Sequence, residues 1–113
     1  MASHITIAPI ARPVTITAGA VVLGRTTDAL ELKEGSHAPV IYVPRKDIDM
    51  TRLLRTDRAS SCPWKGQASY FSVDATDGTL DNAVWTYEDP LPEVAAIAGH
   101  LAFYTDRVTV TRG

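Results

Sequence analysis

The stretch SSCPWKGQASYFSV, residues 60–73, carries the most informative local signal for the fold. Pro63 fixes its own φ angle and Gly66 permits tight backbone geometry, so residues 60–66 predict an ordered turn. Residues 67–73 have the composition of a strand. The stretch therefore predicts a turn that leads into a strand carrying Tyr70.

Short strands and turns of the same kind fill the rest of the chain. Two short helices are predicted, at residues 47–57 with Asp47 or Asp49 as N-cap, and from Pro92 to Ile97 with Gly99 as the stop. This pattern predicts a mainly β fold, built as a barrel or as two packed sheets. The further strands are predicted at residues 13–17, 20–24, 29–34, 39–44, 82–87, 100–104 and 107–112.

Length and composition predict one globular domain over residues 1–113, with its core at about 14–110 and an N-terminal extension at 1–12. The chain is 45% hydrophobic and 21% charged, with a net charge of −2. Because no positive field exists, nucleic-acid binding is not expected. Residues 18–23 form the longest apolar run, too short for a membrane span. With no signal-peptide pattern and a single cysteine, we expect a cytoplasmic protein.

Cys62 is the candidate for covalent or redox chemistry. A reactive thiol needs a lowered pKa, and Lys65 stands three residues further on. The alternative is a small apolar side chain packed under a proline turn. The one cysteine and three histidines lack the spacing of a structural zinc site, because no two of them are close in sequence, and no phosphate-binding glycine loop is present. No metal or cofactor is therefore predicted.

Aromatic residues with polar tips point to a binding cleft. Trp85 and Tyr87 are two positions apart and share a strand face. Tyr70 and Tyr42 come from two earlier strands, and Trp64 lies in the turn. Such side chains suit a half-open pocket, although each one alone could equally serve core packing.

Glu34 continues the face of Leu30 and Leu32 at the end of a predicted strand. If it points inward, its carboxylate needs a partner, which Arg25, Lys65 or Tyr87 could supply. The alternative is a strand-end carboxylate that reaches water.

These motifs, taken in order, resemble domain-of-unknown-function family 427 over roughly residues 14–110. The family pattern combines a glutamate after a strand, a Pro-Val-x-Tyr-x-Pro block and a Cys-Pro-x-Lys-Gly-x-x-x-Tyr block. A Trp-x-Tyr pair before prolines and an Ala-Phe-Tyr strand follow. The matching residues are Glu34, Pro39, Val40, Tyr42, Pro44, Asp47, Cys62, Pro63, Lys65, Gly66, Tyr70, Trp85, Tyr87, Pro90, Pro92, Ala102, Phe103 and Tyr104.

The resemblance implies a β-tent fold, in which two antiparallel sheets lean together at one end and are open at the other. That fold is shared with methionine sulfoxide reductase B, the Yippee proteins and the thalidomide-binding domain of cereblon. Several of these relatives use the open end as an aromatic-lined small-molecule pocket. Many hold a zinc on four cysteines, which this chain lacks. The family has no established activity, and a fold alone does not transmit function.

Three hypotheses follow for function. The first is a small-molecule-binding module whose cleft uses Trp64, Tyr70, Trp85, Tyr87 and Tyr42, with Lys65, Glu34 and Arg25 orienting a polar ligand. The second is an enzyme with Cys62 as nucleophile or redox thiol. The third is a structural or interaction domain without a ligand site. Exposed edge strands could also pair two copies into a homodimer, although nothing in the sequence requires it.

Overall fold

The computed structural model describes residues 4–113, and ten short antiparallel strands dominate it. Three short 3-10 helices accompany them, at Arg45–Asp47, Met50–Arg52 and Pro92–Ile97. Within residues 4–113 no helix has the length and apolarity that crossing a membrane requires. In chain order the strands β1 to β10 are Ile5–Pro9, Val14–Ala18, Val21–Thr26, Leu30–Glu34, Val40–Tyr42, Leu53–Cys62, Gly66–Asp74, Thr79–Thr86, Leu101–Phe103 and Thr109–Arg112.

The strands form three antiparallel sheets, in the orders β1–β4–β5, β10–β2–β3 and β6–β7–β8–β9. The predicted mainly β, antiparallel fold is confirmed, with three sheets where two were expected. The first sheet and the four-stranded sheet are linked, because Val43 and Leu101 exchange two backbone hydrogen bonds of 2.8 Å.

Apolar side chains cover both faces of the four-stranded sheet and so form two cores. Leu101 and Phe103 of β9 pack into a first core with residues of β2 and β3, whereas Ala102 between them packs into a second. This follows from the alternation of side chains along a strand. The second core comprises Leu32, Tyr42, Ala68, Tyr70, Tyr87, Val94, Ile97 and Ala102, and it supports the candidate site.

The prediction of a helix at residues 47–57 is wrong for most of that range. Asp49 does cap a helical turn, since its side chain accepts a 3.1 Å hydrogen bond from the backbone N–H of Thr51. The turn is only Met50–Arg52, and β6 begins at Leu53, which pairs with Val73 of β7. Pairing with β7 and burial of Leu53 override the local helical pattern.

The second predicted helix lies where expected, at Pro92–Ile97, but as a 3-10 segment with a kink at Val94. Gly99, the predicted stop, has a φ of 71°, the left-handed conformation that favours glycine at the end of a helix. Val94 and Ile97 are fully buried in the second core, so this segment packs in the core that adjoins the candidate site.

Residues 1–12 were expected to form an extension outside the core, but residues 5–9 form a strand of a sheet. Ile5–Pro9 is strand β1, an edge strand that pairs with β4 and sets Ile5 opposite Glu34. Residues 1–3 lie outside the described part of the chain. The segment from residue 5 onward therefore belongs to the sheet that carries Glu34.

Candidate functional site

A cavity of about 220 Å³ opens beside the second core, between the β4–β5 strands and the β7–β8 strands. Its walls are mainly aromatic, and a lysine and a glutamate provide its ionised side chains. The lining residues are Leu32, Glu34, His37, Ala38, Val40, Tyr42, Lys65, Tyr70, Trp85, Tyr87 and Tyr104.

Strand register brings most of the predicted site residues together. Tyr70 of β7 pairs directly with Trp85 of β8, and Tyr42 of β5 pairs with Leu30 of β4. Six of the eight residues predicted to bind a ligand line this cavity: Glu34, Tyr42, Lys65, Tyr70, Trp85 and Tyr87.

Lys65 and Glu34 form a shielded ion pair at the cavity wall. The Lys65 ammonium donates to Glu34 Oε1 at 2.7 Å, and the two side chains are only 12% and 18% exposed. His4 Nε2 lies 3.5 Å from the other Glu34 oxygen. Of the three partners considered for Glu34, the structure selects Lys65. Of the two alternatives left open for Glu34, an inward side chain and one that reaches water, this contact agrees with the first.

Both members of this pair are stabilised in their charged forms. The hydrogen bond from Lys65 is the main reason that the pKa of Glu34 lies below its usual range, although burial opposes the shift. Burial pushes the pKa of Lys65 down, but the hydrogen bond to Glu34 and nearby negative groups outweigh it, so the net pKa rises. The cavity wall thus carries one positive and one negative charge at neutral pH.

The turn between β6 and β7 delivers Lys65. The Lys65 N–H donates to the carbonyl of Cys62 at 3.3 Å, and the Lys65 carbonyl accepts from the N–H of Leu91 at 2.9 Å. Gly66 follows with a φ of 113°, a conformation that residues with a Cβ rarely adopt. The predicted turn at residues 60–66 is therefore present, with its first residues already in β6.

Tyr42 and Trp85 form one aromatic wall. The Trp85 indole N–H donates to the Tyr42 hydroxyl at 3.4 Å, and the two rings meet edge to face with centroids 6.5 Å apart. Burial raises the pKa of Tyr42 to about 12, against the opposing effect of this hydrogen bond. Tyr42 is therefore a neutral phenol at physiological pH. The Trp85 ring also packs on Tyr104, with centroids 4.7 Å apart.

Tyr70 forms a second wall, anchored by partners on β6. Its hydroxyl lies 2.8 Å from Ser60 Oγ, and the Arg58 guanidinium sits 4.8 Å from the centroid of its ring. Burial raises the pKa of Tyr70, but hydrogen bonds with Ser60, Arg58 and Tyr104 outweigh that effect, so the net pKa is lowered. Arg58 itself does not line the cavity.

Tyr87 differs from the other phenols because its hydroxyl has no hydrogen-bond partner among residues 4–113. The residue is only 6% exposed, and burial raises the pKa of its phenol far above the usual range. Among the described residues, no fully buried side-chain nitrogen or oxygen lacks a partner. The Tyr87 hydroxyl is thus not sealed in the core, and Tyr87 is one of the residues that line the cavity.

Two predicted ligand-binding residues lie elsewhere. Arg25 is exposed on β3, in a different sheet from the cavity, and does not line it. Trp64 sits at the tip of the turn, 39% exposed, with its ring edge-on to His4 at 4.8 Å. The turn directs Lys65 towards the cavity, while Trp64 covers the N-terminal segment.

Cys62, the candidate nucleophile, is half-buried at the end of β6 and packs against the second core. Among the described residues its thiol has no hydrogen-bonded histidine or carboxylate. His37 lines the cavity, and the His100 ring contacts the carbonyl of Ala98 at 3.2 Å. Within residues 4–113, no three His, Cys, Asp or Glu side chains lie in a cluster that could hold a metal ion.

Sequence reasoning missed five lining residues. Strand alternation sets Leu32 on the face of Glu34 and Val40 on the face of Tyr42, so it could have added both. Tyr104 was part of a recognised motif without a role in the site. No sequence signal predicts His37 or Ala38, which lie on the loop between β4 and β5.

A second cavity of about 370 Å³ adjoins the first and shares Ala38, Val40, Trp85 and Tyr104 with it. Its wall is completed by residues of β9, β10 and the β4–β5 loop, among them Phe103 and Val110. The packed rings of Trp85 and Tyr104 contribute to both cavities, so the aromatic surface continues beyond the site.

Comparison with known proteins gives a family and no characterised relative. No curated protein matches the chain. A family model described as "Domain of unknown function (DUF427)" matches residues 6–112, nearly the whole chain and including every lining residue of the cavity. The protein with this tyrosine-walled cavity and its Lys65–Glu34 ion pair therefore belongs to the DUF427 family.

Proposed function

We propose that the protein is a small-molecule-binding module and that its ligand occupies the cavity between Tyr42, Tyr70, Trp85 and Tyr87. The observation that carries the proposal is the Tyr87 hydroxyl, which has no hydrogen-bond partner among residues 4–113 although the residue is 6% exposed. The hydroxyl oxygen is not fully buried, so a hydrogen bond to a ligand acceptor would contribute about 0.5–1.5 kcal/mol net.

The composition of the wall supports the same proposal. Ligand sites are typically apolar and aromatic surfaces with a few polar groups in fixed positions. Here the phenols of Tyr42 and Tyr70 are held by Trp85 and Ser60, and Lys65 is held by Glu34. Rotamers fixed in this way reduce the conformational entropy that binding must overcome.

Cavity size restricts the ligand. The volume of about 220 Å³ lies below the roughly 300–1,000 Å³ of sites for drug-sized ligands. We therefore expect a compound of one or two rings, and larger compounds would have to extend into the neighbouring cavity along Trp85 and Tyr104.

The test is a fragment screen by thermal shift, with hits confirmed by calorimetry on the wild type and on Tyr87→Phe. A specific ligand raises the melting temperature by mass action. We expect Tyr87→Phe to weaken the hits roughly tenfold, the equivalent of one hydrogen bond of about 1.4 kcal/mol. Arg25→Ala, an exposed change outside the cavity, is the matched control and should leave affinity unchanged.

If no fragment binds, or if Tyr87→Phe and Arg25→Ala behave alike, the third hypothesis, a structural or interaction domain, replaces this proposal. Catalysis by Cys62 stays a prediction. Among the described residues, no histidine or carboxylate is hydrogen-bonded to its thiol. The cytoplasmic location and the homodimer also stay predictions, the first resting on a single free cysteine and the second on the exposed edges of the sheets.

A further inference from the structure

We infer that the cavity selects an uncharged, planar ligand that presents a carbonyl-type acceptor to Tyr87 and Lys65. This inference rests on the proposed function and names the class of ligand. It comes from the charges of the lining groups, the hydrogen-bonding capacity that they leave unused, and the shape of the aromatic walls.

The wall's two opposite charges already compensate each other. Lys65 Nζ and Glu34 Oε1 are 2.7 Å apart, and both side chains are less than one fifth exposed. The other described groups of the wall that can titrate are phenols and the exposed ring of His37 at the mouth. The nearest arginines to the phenols, Arg58 and Arg107, pack on Tyr70 and Tyr104 without lining the cavity.

Among the described wall residues, Lys65 and Glu34 present their charges to a ligand only as a pair. An anion that used the remaining Lys65 donors would lie beside the Glu34 carboxylate, whose like charge repels it. A cation at Glu34 would meet the Lys65 ammonium in the same way. The pair therefore acts against both charge types.

Hydrogen-bond donors remain available for a neutral acceptor. An ammonium has three donors, and within residues 4–113 the ammonium of Lys65 has one side-chain partner, Glu34. Tyr87 contributes a further donor, whose hydroxyl has no partner in the same part of the chain. The Trp85 ring, edge to face with Tyr42 and packed on Tyr104, adds a flat apolar surface. A planar ring bearing an amide or other carbonyl group satisfies all three features.

The experiment compares benzamide, benzoate and benzamidine, which share size and planarity but carry charges of zero, −1 and +1. Dissociation constants are measured by NMR titration or calorimetry at pH 7 on the intact wild-type chain. We expect benzamide to bind at least tenfold more tightly than either charged compound. The resonances that shift should include the Trp85 indole N–H, which places the binding in the cavity.

Two variants reverse the preference in opposite directions. Glu34→Gln leaves Lys65 unpaired, and we expect benzoate to gain at least tenfold relative to benzamide. Lys65→Gln leaves Glu34 with only its 3.5 Å contact to His4, and benzamidine should gain instead. Glu31→Gln, on the same strand but outside the cavity, is the control and should keep the wild-type order. Circular dichroism confirms that each variant is folded before titration.

The order of the three dissociation constants on the wild type is enough to test the inference, even if a variant fails to fold. If benzoate or benzamidine binds the wild type as tightly as benzamide, the inference is wrong and the proposed function stands. If none of the three binds while a library fragment does, the inference is equally wrong. If nothing binds in the cavity, both the inference and the proposed function are wrong.

Discussion

The ammonium of Lys65 lies 2.7 Å from the carboxylate of Glu34, although 31 positions separate them along the chain. Lys65 comes from the turn between β6 and β7, and Glu34 ends β4 in a different sheet. The contact therefore joins two sheets that Val43 with Leu101 and Tyr42 with Trp85 also link. The same pair supplies the charged part of the cavity wall.

Removal of either partner should destabilise the protein more than removal of both. Lys65→Met removes the 2.7 Å partner of a shielded Glu34 carboxylate and leaves only the 3.5 Å contact with His4, so we expect a loss of about 3 kcal/mol in the free energy of unfolding. Glu34→Gln should cost a similar amount, whereas the double variant should recover part of the loss. Urea denaturation of the four proteins measures this. Additive losses would show that the two side chains do not interact energetically.

Gly24 should not accept a side chain. A Cβ at this position would lie 2.0 Å from the carbonyl oxygen of Asp47 and 2.9 Å from Ile48 Cδ1, because β3 approaches the first 3-10 helix closely. Backbone atoms cannot move aside as a flexible side chain can, so we expect Gly24→Ala to cost at least ~2 kcal/mol. Gly78→Ala, which meets open space, should stay within about 0.5 kcal/mol of wild type. Equal melting temperatures for the two variants would contradict this account.

Glu88 should make stability depend on pH in the acid range. Hydrogen bonds from Arg55 and Arg45 lower its pKa from 4.5 to about 2, against the opposing effect of burial. Because the folded-state pKa is the lower one, the contribution is complete above about pH 4.5 and is lost as the pH falls towards 2.

The Glu88 carboxylate is 40% exposed, so we expect its contribution to be about 1 kcal/mol at neutral pH. The difference in unfolding free energy between wild type and Glu88→Gln should therefore shrink from pH 5 downwards. Chemical denaturation at a series of pH values tests this. A difference that stays constant down to pH 2.5 would mean that the two arginines do not stabilise the carboxylate.

Ile97 should be a principal support of the cavity floor. Its side chain is fully buried on the third 3-10 helix, within the second core. Truncation by Ile97→Ala should cost about 2–5 kcal/mol because the closely packed neighbours cannot fill the space. Leu91→Ala, at a 43% exposed position just before the helix, should cost no more than about 0.5 kcal/mol. Similar costs for the two would indicate that the helix packs loosely.

Cys62 should behave as a packing residue. No histidine or carboxylate among the described residues is hydrogen-bonded to its thiol, and the side chain is half-buried. We therefore expect slow alkylation by iodoacetamide at pH 7, with a several-fold faster reaction in urea. A folded protein that reacts faster than a free cysteine would support the enzyme hypothesis instead.

Strand patterns in the sequence predicted much of the site because alternation is a local property. The pairs Leu32 with Glu34 and Trp85 with Tyr87 followed from a period of two, and the turn before Tyr70 followed from Pro63 and Gly66. Of these residues, Leu32, Glu34, Tyr70, Trp85 and Tyr87 line the cavity, whereas Pro63 and Gly66 do not. The family pattern was also present in the order of motifs, and the family itself is confirmed.

Local patterns failed where a long-range contact decided the outcome. Residues 53–57 have a helical pattern, yet pairing of Leu53 with Val73 holds them in β6. Residues 5–9 gave no clear strand signal and became β1 through pairing with β4. Arg25 and Lys65 were equal candidates for the partner of the Glu34 carboxylate, and only the relative position of the sheets selects between them.

The sequence by itself determined the class of fold, the family and the strand faces that carry Tyr42, Tyr70, Trp85 and Tyr87. These depend on residue order and on the two-residue repeat of a strand. Only the tertiary structure decided that Lys65 neutralises Glu34 and that the Tyr87 hydroxyl has no hydrogen-bond partner among the residues from 4 onward. Both depend on which strands meet, and distances of a few ångströms between distant segments are not encoded in any local pattern.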